Sequence, residues 1–173
     1  MSRRTAEGLR PVMEKAVDQC LSHVDAGGLP FIGVVVGEAG VISEFGVNRV
    51  QETGDPSEHA EIVAMRDAMA SQGLTSLAGT SLLATGEPCG LCYRFAIEHR
   101  IDAVYVAVDR DEAAAFGFDY RSSYPALGIT DELRAGLFHH LPVERSTEPF
   151  VRYLNTRTPH ARAPRTEAKG PSS

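Results

Sequence analysis

The chain has 173 residues, 43% of them hydrophobic and 23% charged, and a formal net charge of −6 at pH 7. That size suits one globular domain with a full core, and the acidic balance makes nucleic acid an unlikely main partner. No apolar run is long enough for a bilayer, no signal-peptide core opens the chain, and three cysteines suit a reducing, cytoplasmic setting better than a disulfide framework.

Leu9, Val12, Met13, Ala16, Val17, Cys20, Leu21 and Val24 recur at three- and four-residue steps, which predicts a helix with one apolar stripe. Pro11 fits its first turn and Gly27-Gly28 its end; Cys20 and His23 belong to this helix and are given no function. Residues 31–36 and 41–47, joined by a Gly-Glu-Ala-Gly turn, read as a hairpin. Asn48 closes it before a polar loop over 51–57. Ser57 is the expected N-cap of the next helix, which carries Ile62, Met65, Ala68 and Met69 and stops at Gly73. His59 then falls in its first turn, with Glu61 about 200° further round the axis.

Residues 80–84 form a buried strand that runs through Thr85-Gly86-Glu87 into a helix from the cysteine pair to Arg100. A strand over 101–108, a short helix over 111–116, an irregular loop over 121–128 and a helix over 130–137 follow. Residues 141–143 read as an edge strand or loop, and 148–154 as a last helix. The domain is expected to span 1–154. Residues 155–173, rich in Pro, Ser, Ala and Gly and carrying Arg157, Arg162, Arg165 and Lys169, read as a flexible tail. Helix, hairpin, helix, strand, helix, strand predicts a three-layer α/β/α sandwich with a mixed sheet, its later strands parallel.

The chemistry concentrates in His59-Ala60-Glu61 and Pro88-Cys89-Gly90-Leu91-Cys92. One imidazole and two thiolates leave the fourth corner of a tetrahedral zinc open, as catalytic sites require. A carboxylate beside that corner can then take a proton from water. Each half has a plainer reading. A lone C-x-x-C can be a redox pair or half of a structural zinc site, and a lone H-x-E a solvated helix start. A closed four-ligand site would need Cys20, which lies on the apolar stripe. The joint pattern is far rarer than its parts.

Together these motifs resemble the H-x-E…P-C-x-x-C signature of zinc-dependent base deaminases, and residues 31–120 are similar to the cytidine deaminase-like superfamily. The resemblance implies Zn2+ held by His59, Cys89 and Cys92, with Glu61 as proton carrier. Asp55-Pro56-Ser57-Glu58-His59-Ala60-Glu61, Thr85-Gly86-Glu87-Pro88-Cys89 and Ala115-Phe116-Gly117-Phe118-Asp119 look most like the bacterial guanine deaminase and plant guanosine deaminase branch. That branch usually has Pro-Met between its cysteines, where this chain has Gly90-Leu91.

The resemblance further implies a free nucleobase or nucleoside as substrate, guanine first. Cytosine, triazine or cytidine deamination is the alternative, tRNA adenosine deamination ranks lower, and a zinc-stabilised binding module without catalysis is the rival from another class. Asn48 and Ala60 are candidate substrate contacts, and an ungapped reading adds Glu98. Glu144 and Glu148 join them on the expectation of a homodimer whose C-terminal segments cross to the partner subunit.

Overall fold

The computed structural model describes residues 5–157. Helix α1 (Ala6–Asp25) is followed by strands β1 (Ile32–Gly37), β2 (Gly40–Val41) and β3 (Gly46–Val47), then by helices α2 (Val50–Thr53) and α3 (Ala60–Gln72). Strand β4 (Ser81–Gly86), α4 (Gly90–Glu98), β5 (Ala103–Val108), α5 (Arg110–Ala115), α6 (Ser123–Ala126), α7 (Asp131–Leu137) and β6 (Phe138–His140) complete the series. A further helical segment covers residues 148–157.

The six strands form one mixed sheet in the order β2-β1-β4-β5-β6, with β3 also paired to β1. β1 runs antiparallel to β4, while β4, β5 and β6 are parallel. Strand residues alternate between the two faces. Val35, Leu82, Val104 and Val106 pack with Ile62 and Met65 of α3 and Tyr93 and Ala96 of α4. Val34, Val36, Leu83, Ala103 and Tyr105 pack with Leu9, Met13, Val17 and Leu21 of α1. The expected α/β/α sandwich is therefore the observed one, and each fully buried Leu or Val side chain adds about 1.5–3 kcal/mol relative to leaving it exposed.

Several local expectations change. Thr5, not a residue near Pro11, caps α1, its Oγ1 accepting from the Gly8 amide at 3.4 Å. Pro11 lies inside the helix on an exposed face, where water can serve the carbonyl that its missing N–H leaves free. The second hairpin strand is broken into β2 and β3. Three steps along β1, Val36 to Gly33, face five along its partner, Val41 to Gly46. Such an excess is a bulge, and Ser43 Oγ fills the gap by accepting from the Val35 amide at 2.9 Å. Residues 50–53 and 123–126 are short helices rather than loop. The parallel edge strand is 138–140, directly after α7, rather than 141–143. Residues 155–157 continue the last helix; the rest of the expected tail lies outside the described residues.

At Gly33 and Gly46 the sheet meets the first turn of α3 backbone to backbone. A Cβ on Gly33 would stand 2.8 Å from Glu61 Cα, and one on Gly46 would stand 2.3 Å from the Ala60 carbonyl oxygen. β1 and β4 are antiparallel, so Gly33 lies opposite Ala84. The N-terminus of α3 is thereby brought to the end of the sheet where β4 leads into α4, the place where open α/β sheets carry their sites.

Candidate active site

His59 and Cys89 occupy equivalent places. Each is the N-cap of its helix, α3 or α4, with extended backbone and no side-chain capping bond. Their side chains are therefore free to turn towards each other across the two helix ends. The positive ends of both helices face the same point, which favours thiolates and carboxylates there. Ser57, expected to cap α3, instead donates its hydroxyl to Asp55 at 2.7 Å.

His59 Nδ1 lies 3.5 Å from Cys89 Sγ and 3.4 Å from Cys92 Sγ, and the two sulfurs are 3.7 Å apart. Two sulfurs at about 2.3 Å and one imidazole nitrogen at about 2.0–2.1 Å around a tetrahedral zinc would be spaced roughly 3.5–3.8 Å from one another. The three donors thus form one face of a zinc tetrahedron, with ligand types that suit the ion.

Glu61 is not a fourth member of that face. It is buried, and Cys92 Sγ donates to its Oε2 at 3.4 Å. Burial, and then the negative charge at Cys89, push its carboxyl up to about 7. Hydrogen bonding with Cys92, offset by burial and joined by the bond to His59, brings the Cys89 thiol down to about 4. Burial holds Cys92 well above the usual thiol range.

Residues 7–108 match the family described as the cytidine and deoxycytidylate deaminase zinc-binding region. The chain belongs to this family. It is a zinc-dependent deaminase, a hydrolase of C–N bonds, and His59, Cys89 and Cys92 form a group that could hold the ion. It is 32% identical over 144 residues to the guanine deaminase of Bacillus subtilis, covering 83% of this chain and 92% of that one. The crystal structure of B. subtilis guanine deaminase aligns with a TM-score of 0.61 at 31% identity, over 83% of this chain and 91% of that one. A tRNA-specific adenosine deaminase of Aquifex aeolicus is 33% identical over 99 residues, 57% of this chain and 65% of that one.

Beside the deaminase's His59, Cys89 and Cys92 group lies a cleft of about 170 Å³, lined by Leu29, Phe31, Asn48, Ala60, Glu87, Phe118 and Tyr120 together with His59, Glu61 and Cys89. Asn48 Oδ1 accepts from the Val50 amide at 3.1 Å, closing the turn before α2, and the residue also lines the cleft. Ala60 contributes to the wall from the first turn of α3.

The structure does not bring the other three candidates to this cleft. Glu98 is exposed in the last turn of α4, where the ungapped alignment carries it out past the buried face. Glu144 lines a separate surface hollow with Glu14, Asp18 and Arg145. Glu148 is held by Arg145 at 2.7 Å and Arg152 at 2.8 Å. Within one chain the 148–157 segment already buries its anchor, because Phe150 is fully covered and packs edge-on against Phe31, with ring centroids 5.5 Å apart.

Sequence reasoning missed the aromatic wall. Phe31 stands edge-on to Phe118 at 5.3 Å and to Tyr120 at 6.2 Å. Their spacing carries no periodic signal, although Phe118 sits in a stretch already singled out by resemblance. It also missed the bracing of the cysteine turn. The Tyr120 hydroxyl donates to the Glu87 carbonyl, the Tyr124 hydroxyl to the Pro88 carbonyl, and the Gly90 amide donates to Ser123 Oγ at 2.8 Å. Gly90 is required by this close approach, since a Cβ there would lie 2.3 Å from the Ser123 carbonyl oxygen.

Proposed function

We propose that this deaminase acts on a free aminated nucleobase, guanine or a guanine-like ring, and releases ammonia. The single observation that carries the reading is the cleft itself. It is about 170 Å³, small beside the roughly 300–1,000 Å³ of drug-sized sites. That suits one planar ring among Asn48, Phe31, Phe118 and Tyr120, with Glu61, His59 and Cys89 also in the lining. The similarity to B. subtilis guanine deaminase over most of both chains supports guanine as the first substrate to try.

Hydrolysis exchanges the exocyclic amine for oxygen: water adds to the amine-bearing carbon, the C–N bond breaks, and ammonia leaves. Zinc held by His59, Cys89 and Cys92 would polarise the attacking water and ease loss of its proton. Glu61, buried beside the His59, Cys89 and Cys92 group, takes one proton from the attacking water and passes it to the neighbouring ring nitrogen. It then takes the second from the hydroxyl added to the carbon and gives it to the departing amine, so that both water protons end as ring N–H and ammonia. Asn48 offers its NH2 to an acceptor on the ring edge, which a lactam carbonyl or ring nitrogen provides. The aromatic wall excludes water from the ring faces and holds the ring in plane.

Ammonia release should be measured across guanine, guanosine, cytosine, cytidine, adenine, adenosine and triazines. Guanine turnover at least tenfold above the others is expected; preference for any other ring overturns the assignment. The A. aeolicus relative makes tRNA adenosine the second reading, and salt-dependent retention of tRNA would favour it. We infer a homodimer, to be checked by light scattering. No helix among the described residues is long and apolar enough to cross a membrane, and the free thiols at positions 20, 89 and 92 suit a reducing cytoplasm.

A further inference from the structure

Besides Glu61, one other carboxylate of the described residues is buried. It is Glu87, two residues before Cys89, and its side chain is 0% exposed. Both of its oxygens are fully used. Oε2 accepts from Arg134 Nε at 2.6 Å and from the Tyr93 hydroxyl at 2.8 Å. Oε1 accepts from Arg134 Nη2 at 2.9 Å and from the Arg110 amide at 2.8 Å. These donors come from α7, from α4 and from the first residue of α5, so a single side chain ties three helices to the turn between β4 and α4. The Glu87 amide adds a bond to the Val108 carbonyl at 2.8 Å, joining the turn to the end of β5.

Stability alone does not call for such a group. Replacing a buried ion pair with well-packed apolar side chains is often neutral or favourable. An apolar side chain at position 87 would fill the space but would fix no direction. A forked guanidinium on a carboxylate fixes both distance and plane, and the turn so fixed is the one that presents Cys89.

We propose that Glu87 is a positioning residue, clamped by Arg134 so that the turn after β4 holds Cys89 Sγ at ligand distance from His59 and Cys92. Arg134 reaches the site only through Glu87; it neither lines the substrate cleft nor contacts a zinc ligand. Loosening it therefore acts first on how firmly the metal is held, and on the cleft only through the Glu87 part of its lining. The inference rests on the zinc-deaminase reading but not on which ring is hydrolysed.

The test uses full-length protein carrying Arg134→Gln, Arg134→Lys or Tyr93→Phe, with three measurements. They are the rate of zinc loss to a chromogenic chelator, the visible spectrum of the cobalt-substituted protein, and kcat and KM on whichever ring is turned over. Arg134→Gln should release zinc at least tenfold faster than the unmodified protein, alter the thiolate-to-cobalt bands, and lower kcat with KM within twofold. Arg134→Lys, with a point charge in place of a fork, should restore only part of each. Unchanged zinc release and an unchanged cobalt spectrum in a variant with a lowered melting temperature would reduce the pair to a stability feature and overturn the proposal. Should Arg134→Gln fail to fold, Arg134→Lys and Tyr93→Phe carry the same criterion. If no ring is deaminated, the zinc-release and cobalt readouts still decide the matter.

Discussion

Cys92 Sγ and Glu61 Oε2 are 3.4 Å apart, so a buried carboxylate touches one cysteine of the His59, Cys89 and Cys92 group without belonging to that group. Its proton affinity is therefore bound to the state of the ligand set, and its removal should spare the metal.

Glu61→Gln keeps the shape of the side chain and removes its capacity to carry a proton. kcat should fall by about 10²–10⁴-fold, while zinc stoichiometry, measured by atomic emission, stays at one per chain. Loss of zinc in this variant would show that Glu61 is a ligand. Retained turnover would point to a binding module in place of an enzyme.

Chelation should abolish turnover, and added zinc should restore it. Thiol titration provides a second readout. Cys20 is fully buried beside the Thr85 hydroxyl, and burial pushes its thiol up to about 12. In the zinc-loaded protein no thiol should react rapidly, after chelation two should, and Cys20 should react only once the protein is unfolded. His59→Ala and Cys89→Ser should each purify without stoichiometric metal.

Asn48→Asp separates the residue's two roles. The retained Oδ1 still accepts from Val50, so the melting temperature should hold, while the lost NH2 donor should lower kcat/KM on the preferred ring by about 10–100-fold. An equal loss with Asn48→Asp and an unrelated turn-breaking change would mean that the turn, rather than the amide, matters.

Gly90→Ala forces a methyl group against the Ser123 backbone. The expected cost is about 1–3 kcal/mol, or a fall of roughly 3–10 °C in melting temperature. Ser123→Ala leaves the Gly90 amide without its partner and should cost about 1–3 kcal/mol. Calorimetry of both checks the tight seating of the 120–124 segment on the cysteine turn.

The metal triad and Glu61 were legible because local spacing places them: two residues apart at one helix start, three apart at another. The centre of the sheet was legible because β1, β4 and β5 are buried on both faces and read as apolar runs, whereas the edge strand β6 is largely exposed and gives no such run. The bulge in the hairpin was not, since it depends on which β1 residue faces which partner and on a serine hydroxyl standing in for a backbone group. Glu87 sat in plain view as the end of a strand, yet its meaning lies in Arg134, 47 positions away. Glu98 misled because register along a helix was carried over without the bend of the chain around it.

The glycines at positions 33 and 46 let the first turn of α3 lie on bare backbone, and that fixes where new specificity can come from. The floor of the cleft is welded to the sheet and has no slack for a mutation to exploit. A directed search for enzymes that accept other rings should therefore diversify the aromatic wall, at Phe31, Phe118 and Tyr120, and leave the helix and the strands beneath it untouched.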